Sequence, residues 1–169
     1  MVELMSNYTI ENLIHSSLDD IDEDAFILWV LHADKVPPHI GISNKGKFYS
    51  LKANGKDDGV EVSSIKSIIH RKRITTLCFF LKKTELSETL SDHFYSFDKT
   101  IPHKITCLDP IKNVFSLKEP RKLTELLDVL FLKGIINSIK GVYSNSFEGI
   151  LEYDVLDIHS RLKKLSDAR

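Results

Sequence analysis

Two side chains in this sequence stand where a nucleophile and its base would have to stand, Cys107 and His39. A thiol attacks only as its anion, and imidazole is the side chain suited to take that proton near neutral pH. Cys107 lies in KITCLDPI (residues 104–111), just ahead of an expected helix with Pro110 in its first turn. The positive end of that helix would lower the thiol pKa from its ordinary value of about 8.5, with Asp109 opposing the effect. His39 follows Pro37–Pro38 and opens the run Ile40–Gly41–Ile42. The two prolines fix φ and extend the residues before them, so the histidine is held rigidly, as a general base requires. Gly41 lets another group approach the backbone closely beside it. The simpler reading makes His39 a strand-ending imidazole and Cys107 a small residue tucked under a helix. Cys78, between Leu77 and Phe79, reads as core packing.

Other chemistries leave no trace. There is no glycine-rich phosphate loop, no dinucleotide fingerprint, no GxSxG elbow and no HExxH. The seven histidines are scattered, with no pair at helical ligand spacing, and the acidic stretch 19–24 lacks the spacing and glycine of an EF-hand. No metal or cofactor is therefore expected. Two cysteines are too few for a disulfide scaffold. The net charge of −1, from 23 basic and 24 acidic residues, makes no case for nucleic acid or an anionic membrane. The basic run His70–Arg71–Lys72–Arg73 reads as a solvated edge. No apolar run reaches the length of a membrane span, and residues 1–24 show no signal-peptide core, so a cytoplasmic location is expected.

The elements that would position these residues follow from the hydrophobic pattern. The chain of 169 residues suits one domain spanning 1–169. Apolar runs at 25–32 (AFILWVLH) and 74–81 (ITTLCFFL) read as buried strands. Residues 39–43 and 47–53 form a hairpin around Asn44–Lys45–Gly46, and 54–59 (NGKDDG) a looser turn. Helical periodicity predicts helices over 9–18, 63–71, 85–97, 109–115, 120–132 and 155–165, with Gly134 ending the fifth. Residues 101–106 read as a short extended piece, and 135–143 and 149–153 as two edge strands. Tyr143, Phe147 and Tyr153 suit either a protein-binding surface or the core. This order of elements predicts an α+β fold, with helices packed on an antiparallel or mixed sheet.

The stretch His39-Ile-Gly-Ile-Ser43 followed by Lys47-Phe-Tyr-Ser-Leu51 resembles the strand pair of the circularly permuted NlpC/P60 superfamily. That papain-like group includes the lecithin:retinol acyltransferase relatives. In the group a histidine of the form H-x-G-I opens one strand, a hairpin returns, and the cysteine follows later at a helix start. The resemblance implies a permuted papain-like fold and a Cys107–His39 dyad, with Ser50 or Tyr49 orienting the imidazole. It implies a cysteine hydrolase or acyltransferase acting on an amide or ester. The alternative is a non-catalytic interaction or regulatory module with a protein partner. Neither reading names the substrate, the partner or the oligomeric state.

Overall fold

The structure, a computed structural model, describes residues 7–83 and 89–167. Within them the strands are β1 (Asn7–Tyr8), β2 (Leu13–Ser16), β3 (Ile27–Leu31), β4 (His39–Asn44), β5 (Lys47–Lys52), β6 (Gly55–Glu61), β7 (Thr76–Leu81), β8 (Ile136–Val142) and β9 (Ile150–Leu151). The helices are α1 (Val62–Lys72), α2 (Leu90–Phe94), α3 (Leu108–Val114), α4 (Leu123–Leu132) and α5 (Val155–Asp167). Seven strands form one mixed sheet in the order β2-β8-β7-β3-β4-β5-β6. Only the β2–β8 pair is parallel within it, and β1 pairs with β9 separately. The α+β class with helices packed on a mixed sheet is thus as the sequence predicts.

Strand alternation divides the core between the two faces of the sheet. On one face Leu28, Val30, Ile40, Ile42 and Phe79 pack against residues of α2, α3, α4 and α5. On the other, Ile27, Trp29, Phe48 and Cys78 pack against Val62, Ile65 and Ile69 of α1. β3 is buried on both faces because it lies mid-sheet between β7 and β4, which explains its unbroken apolar run. Trp29 Nε1 donates a 2.7 Å hydrogen bond to Ser43 Oγ across the β3–β4 ladder, so its one polar atom is satisfied inside the core. Gly41 leaves room for Phe48: a Cβ there would lie 2.2 Å from the ring.

Several expectations are corrected. Residues 9–18 are no helix. Asn12 has φ +61°, a left-handed turn that breaks any helix, and Leu13–Ser16 runs parallel to β8. Pairing with the sheet overrides the local periodicity, and Ile14, expected inward, is 55% exposed. The NGKDDG stretch is largely strand: β6 pairs with β5 through a bulge, and Gly59 (φ +78°) supplies a left-handed residue. β8 is an interior strand between β2 and β7 rather than an edge. The helix expected over 85–97 is only Leu90–Phe94, started by a reciprocal Thr89–Asp92 capping box. Residues 85–88 of that expectation lie outside the described residues. Phe131, expected inward on α4, is 41% exposed. None of the helices among the described residues is long and apolar enough to cross a membrane.

Candidate functional site

The hairpin of β4 and β5 is paired only near its turn, where Ile42–Asn44 meet Lys47–Tyr49. Beyond that the strands part, and β5 continues its ladder with β6. Residues 100–107 fill the opening. Thr100 N–H donates to the Lys52 carbonyl at 2.9 Å, and the Ile40 N–H lies where it favours the Cys107 thiolate. The parted strand ends and this inserted segment border a cavity of about 1050 Å³, which Cys107 and His39 both line. Sequence neighbours of neither, the two residues are brought to one cavity by this divergence.

Cys107 stands at the start of α3, where the first turn closes reciprocally. Leu108 N–H donates to Thr106 Oγ1 (3.2 Å), and Thr106 N–H donates to Asp109 Oδ2 (2.7 Å). The sulfur receives its own backbone N–H as well as that of Ile40, and both favour the thiolate. Burial outweighs them. Desolvation, with Asp109 adding to it, pushes the Cys107 thiol up to about 11. The lowered pKa expected from the helix start is therefore corrected: seven residues of helix and two N–H donors do not offset removal from water. Cys78 is fully buried among apolar neighbours, with its pKa also raised by desolvation, as a packing residue should be.

His39 opens β4 after a cis Val36–Pro37 bond. Its Nε2 is buried without a hydrogen-bond partner, and desolvation first, with Lys52 and His32 adding, pulls the imidazole down to about 4; Asp57 opposes this. Alternation along β4 sets His39 on the side of Gly41 and Ser43, the α1 face, whereas Cys107 packs with the Ile40 face. The thiol and Nε2 therefore do not hydrogen-bond at rest, and both groups are neutral.

Ser50 and Tyr49, adjacent on β5, go to opposite faces. Ser50 is buried and its Oγ donates to Asp57 Oδ2 at 2.7 Å, while Lys52 Nζ lies 2.9 Å from Asp57 Oδ1. Ser50 thus fixes a carboxylate whose charge acts on His39, rather than meeting the imidazole itself. Tyr49 tilts against Phe94 with ring centroids 5.7 Å apart, and burial raises its phenol pKa. It is not a lining residue of the cavity.

Sequence reading missed three residues of this site. Asp57, in a stretch the sequence reads as a turn, faces Ser50 directly across the β5–β6 ladder. Extending the alternation of β5 through the second turn was the signal that could have found it. Thr100 is buried, with Oγ1 unpartnered, and lines the cavity. Tyr153, also lining it, accepts the Leu123 N–H at 3.1 Å and is held neutral by burial, with the Cys107 charge opposing its ionisation. No His, Cys, Asp and Glu cluster among the described residues is arranged to hold a metal ion. No family model, curated protein or solved structure matches this chain.

Proposed function

We propose that the cavity is the substrate site of a thiol-dependent hydrolase or acyltransferase that acts on an amide or ester. The observation that carries the reading is that Cys107, His39 and Asp57 all line one cavity. Nucleophile, base and an acidic group that favours the protonated base thereby border one cavity. In the reaction the Cys107 proton passes to His39 as sulfur bonds to the acyl carbon. The Ile40 and Cys107 N–H groups stabilise the negative charge that develops. The amine or alcohol leaves with the proton from His39, and water or a second acceptor then takes the acyl group from the thioester. Asp57, held by Ser50 and Lys52, stabilises the imidazolium that forms in between. A nucleophile that must remain a free thiol suits a reducing compartment such as the cytoplasm.

The test is acylation by p-nitrophenyl octanoate, reading p-nitrophenol release and the acylated residue by mass mapping. Expected are an acyl group on Cys107 and a release rate at least 100-fold lower in both Cys107→Ala and His39→Gln, the range for loss of a nucleophile or general base. Equal rates in wild type and Cys107→Ala, or an acyl group elsewhere, overturn the reading. A second reading, a non-catalytic binding module, is favoured by the neutral, unpaired state of the two groups. It keeps ligand binding in Cys107→Ala and shows no acylation.

A further inference from the structure

The cavity has three kinds of wall, and each selects a part of a ligand. The first is apolar. Ile65, Ile68 and Ile69 of α1 and Ile158, Leu162 and Leu165 of α5 all line it. Ile65, Ile69 and Ile158 are buried in the core, while Ile68 and Leu165 remain exposed, so the outer part of this surface is not used up in packing. The second is cationic. Lys35 from the loop after β3, Lys72 from the end of α1 and Arg161 from α5 line the same opening, and all three charges act on His32. None of the three has an ion pair among the described residues. Of the lining carboxylates, Asp57 is held by Ser50 and Lys52 and Asp157 accepts the Asp154 N–H at 3.0 Å; Asp34 also acts on His32, against the three cations. The third wall is polar and unsatisfied. Thr100, only 5% exposed, and His39 leave Oγ1 and Nε2 buried with no partner, and both residues line the cavity with Cys107. Buried polar atoms are rarely left so, and a ligand's polar group would satisfy them.

We propose that the cavity binds an apolar carboxylate bearing an internal amide or ester carbonyl, of which N-acyl amino acids are the simplest members. The carboxylate sits among Lys35, Lys72 and Arg161. The acyl chain lies along the α1 and α5 isoleucines and leucines. The carbonyl takes a hydrogen bond from Thr100 Oγ1. The volume of about 1050 Å³ holds a long-chain example, standing at the top of the usual range for ligand pockets of roughly 300–1000 Å³. This names a ligand class for the site of the thiol reading, but binding requires no reaction at Cys107, so the two fail separately.

The experiment is calorimetry on the full chain carrying Cys107→Ala, which binds without turnover, using four probes. N-dodecanoylglycine has all three features. Dodecanoate lacks the internal carbonyl, N-dodecanoylglycine methyl ester lacks the charge, and N-acetylglycine lacks the chain. N-dodecanoylglycine should bind tightest, and N-acylglycines should gain up to about fourfold per added methylene. Lys72→Gln with Arg161→Gln should weaken it about tenfold or more and remove much of its salt dependence. Thr100→Val should cut its advantage over dodecanoate. Equal binding of the methyl ester overturns the anionic site, equal binding of dodecanoate overturns the carbonyl site, and no binding of N-dodecanoylglycine overturns the whole proposal. Failure of the thiol reading would show instead as tight binding of N-dodecanoylglycine to wild type without acylation of Cys107 by the ester.

Discussion

Replacing His39 by glutamine should make the protein more resistant to acid. The histidine is held down to about 4, against 6.5 for the free group, chiefly by desolvation. Because its folded value lies below its unfolded one, the unfolded chain binds the proton first as pH falls. Stability is therefore fully present above about pH 6.5 and is lost as pH falls towards 4. From those two values, the loss between pH 7 and pH 4.5 is about 2–3 kcal/mol. His32 and His159 are also lowered, both first by burial, but they remain in both proteins and cancel in the comparison. Urea unfolding at the two pH values, with unchanged m, reads the difference directly. Wild type should lose about 2–3 kcal/mol more than His39→Gln. The charged groups acting on the ring are Asp57, Lys52 and His32. The same loss in both proteins, or an imidazole titrating near 6.5 in the folded state, would refute the burial argument.

Brief iodoacetamide treatment of the folded protein should label Cys107 before Cys78, slowly at pH 7.5 and faster up to about pH 11, because one thiol borders the cavity and the other is sealed in β7. Mass mapping decides it, and first labelling of Cys78 would contradict the strand packing. Leu126→Ala and Leu130→Ala, both fully buried on α4, should each cost about 2–5 kcal/mol in chemical denaturation. Gly41→Ala should cost about 1–3 kcal/mol by the same measurement, since its Cβ would overlap the Phe48 ring, which is fixed in the core.

The elements legible in the sequence are those whose local pattern agrees with their place in the fold. β3, the β4–β5 hairpin, α1, β7, α4 and α5 fall within a few residues of the periodicity that predicts them. The exceptions share one cause. Residues 13–16 and 55–61 become strands because they add to the sheet beside β8 and β5, partners 126 or so and about 8 residues away. Nothing in their own composition says so. The site divides the same way. Cys107 at a helix start and His39 at a strand start were readable locally, and both stand there. Their desolvation was not, because it comes from the parting of β4 and β5 and the insertion of residues 100–107, which are contacts across the fold.

That burial decides what kind of thiol chemistry the site could perform. With values of about 11 for Cys107 and about 4 for His39, moving the proton between them costs about 10 kcal/mol in the empty cavity. Attraction between the resulting charges at 4 Å returns only about 4 kcal/mol at the dielectric typical of proteins. A resting thiolate–imidazolium pair is therefore disfavoured, and the two side chains first have to meet at the end of β4. In a working hydrolase the proton would have to move as the sulfur attacks, when the Ile40 and Cys107 N–H groups face a developing negative charge instead of a neutral thiol. The pH–rate profile would then show no titration of a resting ion pair. Its acid limb would follow the low pKa of His39, leaving acylation almost flat from about pH 5 to pH 9.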